Sequence, residues 1–256
     1  MRSSVRAITI ASMTFVCTFG SALAGTFVRT WLPPTHLSKE SQDVVRLGIG
    51  LVATMTALLL GLVTAAARST FDTQDAALRN SAATILTLDR HLARYGPETK
   101  PTRDLIRRAV EFRLRTTWGT GRGDTQGLAV SEGTPAVEEV ENQILSLSPQ
   151  TEAQRWFKSE ALKLSDEIVK TRWRILGSGG GVPFPFLVVV ICWLTVTFAS
   201  FGLYAPRNAT VVAALGVAAV SVAAAVFLIL ELDGPTDGVI RVSRVPLQYA
   251  LDHLSQ

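Results

Sequence analysis

Four runs of apolar residues, each long enough to cross a bilayer as a helix, dominate this sequence: roughly Val5–Val28, Leu47–Ala67, Val182–Phe201 and Ala209–Leu230. A helix rising 1.5 Å per residue needs about 20 residues to traverse a hydrocarbon core of ~30 Å. Apart from Arg6, close to the start of the first run, none of them holds Asp, Glu, Lys, Arg or His between its ends. Lipid offers the backbone no hydrogen-bond partner, so these runs are helices, and the period-two alternation of a barrel strand is absent from all four. Only 18% of the residues are charged and 48% are hydrophobic, which excludes a soluble enzyme or a disordered tail. Two cysteines are too few for a disulfide-stapled secreted module.

Basic residues set the topology. The polar stretch from Arg68 to Leu176 holds seventeen of the twenty-five Lys and Arg residues. Arg68 and Arg79 at one end and Lys170, Arg172 and Arg174 at the other lie near membrane boundaries, where the positive-inside rule operates. This predicts a cytoplasmic insert, with both termini on the same side. Arg2, Arg6, Arg241 and Arg244 agree, and only Arg29, Lys39, Arg46 and Arg207 face outward. The expected fold is an all-α membrane protein of the bacterial inner membrane, with four transmembrane helices as two hairpins and a helical cytoplasmic insert between helices 2 and 3. Its domains are a first hairpin (1–67), a cytoplasmic helical domain (68–176), a second hairpin (177–231) and a cytoplasmic tail (232–256). A competing reading concerns Ala22-Leu23-Ala24, which follows an apolar run in the manner of a signal-peptide cleavage site; cleavage there would leave three spans.

Within the insert a helix is expected from about Gln74, as a continuation of the second span or just after it, to Tyr95, stopped by Gly96-Pro97, with Ala77, Ile85, Leu88 and Leu92 on one face. Thr102 reads as the N-cap of a second helix, with Asp104 in its first turn and Leu105, Ile106, Val110 and Leu114 leading to Trp118. A glycine-rich loop follows from Gly119 to Thr134. Thr134-Pro135 and Ser148-Pro149 each read as an N-cap and first helical residue. The second of these helices carries Ala153, Phe157, Ala161, Leu164, Ile168 and Ile175 as an apolar stripe. In the tail, an extended piece at Val239 to Val242 and a terminal helix with Leu247, Leu251 and Leu254 are expected to fold back on the insert.

The chemical inventory predicts neither an enzyme nor a resident cofactor or metal. No strand precedes the glycine loop and no Gly-Lys-Ser/Thr follows it, so it is not a phosphate loop. Cys17 and Cys192 lie inside spans as small apolar fillers. His36, His91 and His253 have no metal-ligand spacing, and Asp233 and Asp237 alone make a weak cation site. The insert balances its basic residues with fifteen acids, which argues against nucleic acid as a partner. Spans without ionisable residues argue against a proton-coupled transporter. What the second span does show is Ala53, Ala57, Gly61 and Ala65 at four-residue steps, a pattern for close helix packing in lipid, with Thr54, Thr56 and Thr64 on neighbouring faces.

Three separated blocks carry a family resemblance: Leu47 to Leu62, Ile85 to Pro97, and the tail from Leu232 to Ser243 with Pro246-Leu247. Together they resemble the bacterial DUF4239 family, also known as the bestrophin-like domain, over nearly the whole chain. Asp233, Pro235 and Gly238 carry its tail motif, and Thr236 stands where an aromatic usually follows the proline. The resemblance implies a link to bestrophins, pentameric chloride channels whose second span lines the pore, although the aromatic neck has no counterpart here. It makes Thr54, Thr56 and Thr64 candidate pore-lining residues in a homo-oligomer, with Arg68 and Arg79 drawing chloride to the cytoplasmic mouth. The alternative is a non-conducting scaffold or sensor whose cytoplasmic helices bind a partner.

Overall fold

The computed structural model describes residues 2–33, 39–118, 137–177, 184–206, 208–234 and 239–254. Among them every regular element is helical: α1 (Arg2–Val28), α2 (Lys39–Tyr95), a 3₁₀ turn (Pro97–Thr99), α3 (Lys100–Trp118), α4 (137–146), α5 (Glu152–Gly177), α6 (Phe184–Tyr204), α7 (Ala209–Asp233) and α8 (Val245–His253). Helices α1, α2, α6 and α7 each contain a segment long and apolar enough to cross a membrane. The expected extended piece at 239–242 forms no strand. The chain divides into two compact units, one of residues up to Phe71 with those from 184 to Arg241, the other from Asp72 to Gly177 with Val242 to Leu254.

In the first unit α1 packs along α6 and α7. Ser21 donates its hydroxyl to the Thr195 carbonyl at 3.0 Å, and two turns later Arg29 donates to the Ala205 carbonyl at 2.6 Å. Contacts that advance in step along both helices make α1 and α6 parallel, as first and third spans of one bundle must be. Between these contacts the backbones nearly touch. A methyl at Gly25 would overlap the Ala199 carbonyl oxygen, and one at Gly202 would overlap that of Ala22. Each helix thus offers an Ala-x-x-Gly pair to the other, and dispersion between closely apposed backbones replaces the solvent-driven attraction that lipid cannot supply. Ala22, Phe198 and Ala219 form the adjoining core with Phe15 and Phe19, while Val63 and Ala67 of α2 meet Ile229 of α7.

Helix α7 is capped by Asn208, whose side chain accepts the Val211 N–H at 2.8 Å. It runs past the expected end at Leu230 and buries Glu231, only 2% exposed. The acid-free reading of this span therefore ends one residue short of a carboxylate. One Glu231 oxygen accepts the Val239 N–H at 2.7 Å, which ties the tail back to the helix end.

In the second unit the chain departs from expectation at two helix starts. Helix α3 begins at Lys100 rather than after Thr102, because the 3₁₀ turn feeds directly into it; Thr102 is buried inside the helix and Asp104 lies beyond its first turn. The turn is secured by Thr99, whose hydroxyl donates to the Leu92 carbonyl at 2.6 Å, and by Gly96 at φ 147°, a conformation L side chains rarely adopt. Helix α5 begins at Glu152, with Thr151 rather than Ser148 as its cap. The Thr151 hydroxyl accepts the Gln154 N–H at 3.1 Å and the Gln154 side chain accepts the Thr151 N–H at 3.3 Å, a reciprocal capping box. Ala161 and Ser165 form the buried row of α5, Phe157, Leu164 and Ile168 are half-buried, and Ala153 is exposed, outside the stripe assigned to it. In the tail, α8 packs on α3, Leu247 and the capping residue Leu254 are buried, and the Trp118 indole donates to the Val242 carbonyl at 3.2 Å. The glycine loop and the Thr134-Pro135 cap lie outside the described residues.

Candidate functional site

The second span presents two kinds of surface. Thr56, Val63 and Ala67, at steps of seven and four, are buried. On the opposite half, Ala53, Ala57, Gly61 and Thr64 follow one another at steps of four, four and three, beside a second row of Leu47, Leu51, Met55, Leu58 and Leu62, with Thr54 between the rows. Thr54, Ala57, Gly61, Thr64, Ala65 and all five large residues are exposed, and Ala53 is half-buried. Nothing lies within 4 Å of where a Gly61 side chain would begin. At Gly61 the small-residue row thus meets no other described part of this chain, and a tight contact at small residues is also made at Gly25 and Gly202.

The threonines separate in the same way. Residues two apart on a helix point in nearly opposite directions, so Thr54 and Thr56 do not share a face. Thr56 is 3% exposed and donates to the Val52 carbonyl at 2.7 Å. Thr54 and Thr64 are exposed and donate to the Gly50 and Leu60 carbonyls at 2.8 and 2.7 Å. The two arginines expected to draw anions, Arg68 and Arg79, also differ from a simple attractive pair. Arg68 lies 5.9 Å from the Phe71 ring centroid, and Arg79 is bound by Asp75 at 2.8 Å, which offsets its charge.

In the second unit the Arg103 guanidinium holds both oxygens of Asp89, at 2.7 and 2.9 Å. Asp89 is 1% exposed, and its hydrogen bond raises Arg103 above the ordinary arginine range against the opposing effect of burial. Asp89 occupies the apolar row of Ile85, Leu88 and Leu92, a position at which a carboxylate requires a partner; that signal was present in the sequence. A cleft of about 200 Å³ beside the pair is lined by Gly96, Lys100, Arg103 and Asp104. His91 packs against Trp156 and Phe157, with ring centroids 5.4 and 5.8 Å away, and His253 stacks on Tyr249. His36 and Asp237 lie outside the described residues, among which no cluster of metal-ligating side chains occurs. Cys17 and Cys192 are free thiols. Of the tail motif, Asp233 is half-buried and engaged, while Pro235 and Gly238 lie outside the described residues.

The Bestrophin-like domain model matches residues 16–247. The chain belongs to the Bestrophin-like family. Two crystal structures of variants of a bacterial Bestrophin homolog from Klebsiella pneumoniae share its fold, each with a TM-score of 0.60 at 16% identity. The alignments cover 94% and 96% of this chain and 96% of each homolog. None of the curated proteins matches. This Bestrophin-like chain is thus a membrane protein of the bestrophin type, in agreement with the resemblance carried by its three sequence blocks. The family match includes the whole of the two-row face of α2 and reaches through the tail to Leu247.

Proposed function

We propose that the protein is a homo-oligomeric anion channel of the bacterial inner membrane, passing chloride, with both termini and the 68–176 domain in the cytoplasm. The observation that carries this reading is the uncovered half of α2. A helix in the middle of a family-defining fold leaves Ala57, Gly61, Thr54 and Thr64 in the open, with no acid from Arg46 to Arg68. In a ring of copies, the small, hydroxyl-bearing row faces the axis and the leucine row packs on the neighbouring subunit or lipid. Thr54 and Thr64 line the pathway, whereas Thr56 belongs to the protomer's interior. For a hydroxyl to donate to a passing anion it must rotate away from its own helix carbonyl, so these threonines offer weak, rapidly exchanged contacts, as conduction requires.

The test is chloride efflux from liposomes containing the purified protein. Efflux above that of empty vesicles is expected, and Thr54→Glu, which puts a carboxylate from every subunit on the pathway, is expected to suppress it at least tenfold. Wild-type protein that stays silent across pH and voltage would sink the proposal. A second reading, a non-conducting scaffold, draws on the exposed Trp156 and Trp173 of α5. Silent liposomes together with cross-linking to a different protein in native membranes would favour it.

A further inference from the structure

Helix α5 changes character along its exposed side. Opposite the buried row of Ala161 and Ser165, the residues Lys163, Asp166, Glu167, Lys170, Trp173 and Arg174 are all exposed and share one face at helical spacing. The earlier part of this face mixes its charges, with Lys163 paired to Glu160 and Asp166 to Lys170. No acid then follows Glu167 until Glu231. The last two turns therefore present an indole, 60% exposed, between two cations. Six residues after Gly177, the end of α5, the chain enters α6, a membrane helix.

An indole set out in water buries none of its large apolar surface, and its amphipathic ring suits the headgroup layer of a bilayer. Lys and Arg beside a membrane helix are drawn to anionic lipid over a Debye length. The Lys170–Asp166 pair does not oppose this: both side chains are more than half exposed, at 62% and 53%, and such a pair is weak enough to exchange for a phosphate. The six-residue tether keeps a lipid surface within reach of this face at a local concentration that no soluble partner matches. Trp156 differs on each count. It lies about 25 Å back along the helix, contacts His91 and Phe157, and has Glu152 and Glu160 at four-residue steps.

We propose that the last two turns of α5 are a docking surface for anionic phospholipid, with Trp173 in the headgroup layer and Lys170 and Arg174 on lipid phosphates. This surface is separate from the α2 face and acts whether or not the protein conducts.

The experiment uses the full-length protein in nanodiscs of phosphatidylcholine alone or mixed equally with phosphatidylglycerol. Amide exchange over residues 166–177 is expected to slow roughly fivefold in the mixture, and added salt is expected to reverse the slowing. Lys170→Gln with Arg174→Gln is expected to keep the wild-type Tm, because both side chains are exposed, and to exchange equally fast in the two lipids. Phosphatidylglycerol brominated near its headgroup is expected to quench Trp173, so that Trp173→Phe loses lipid-quenchable emission and Trp156→Phe does not. Both faces of a nanodisc carry the same lipid, so neither readout depends on which side of the membrane the 68–176 domain occupies. Wild-type exchange that is equal in both lipids, as a second copy covering this face would also give, overturns the proposal. So does a Trp173→Phe protein whose lipid-quenchable emission equals that of the wild type.

Discussion

At the residue scale, the side chains that organise this molecule are those whose burial leaves them no alternative partner. Asp89 is the clearest: on an apolar helix row, both of its carboxylate oxygens are held by the Arg103 fork. Breaking such a pair strands a buried charge, so Arg103→Leu should cost about 3–5 kcal/mol, measured by denaturant unfolding in micelles. The double change Asp89→Leu with Arg103→Leu should recover most of that loss. Gly25 and Gly202 obey a steric version of the same logic. Gly202→Val inserts carbon where the Ala22 carbonyl already sits and should lower stability by about 1–3 kcal/mol, seen as a fall in Tm. The Asp89 position was legible in the sequence as a charge among Ile85, Leu88 and Leu92. The Gly25–Gly202 contact was not, because it joins segments some 180 residues apart and the same small-residue spacing is more conspicuous on α2.

At the scale of elements, hydrophobic length located all four membrane helices, since lipid permits no other backbone solution. Their ends were harder to place. Helix α2 extends from Lys39 to Tyr95, far beyond its apolar part, because nothing between Ala67 and Gln74 breaks a helix. The start of α5 shows competition between two local signals: Ser148-Pro149 resembles a cap, yet Thr151 with Gln154 satisfies two backbone donors at once and prevails. Thr151→Ala should therefore destabilise the second unit by about 0.5–2 kcal/mol, whereas Ser148→Ala should leave Tm unchanged within error. Which face of α2 lies open was legible only in part. Spacing marked the small row, but the burial of Thr56 depends on α2 meeting the rest of its unit, and neighbours of that kind cannot be read from one helix.

At the scale of the whole molecule, the central claim is that identical copies close into a ring around the open face of α2. The parallel course of α1 and α6, the four apolar helices and the family match over residues 16–247 agree with a bestrophin-type protomer. A protomer of this kind exposes Gly61 with nothing against it. A cysteine at Gly61 should then form subunit-to-subunit disulfides under mild oxidation, whereas a cysteine at Val63 should not. Most direct is the mass of the protein in lipid nanodiscs, read by native mass spectrometry. The ring predicts a single multimeric species that persists on dilution; a protein that remains one chain per disc at every concentration would contradict it.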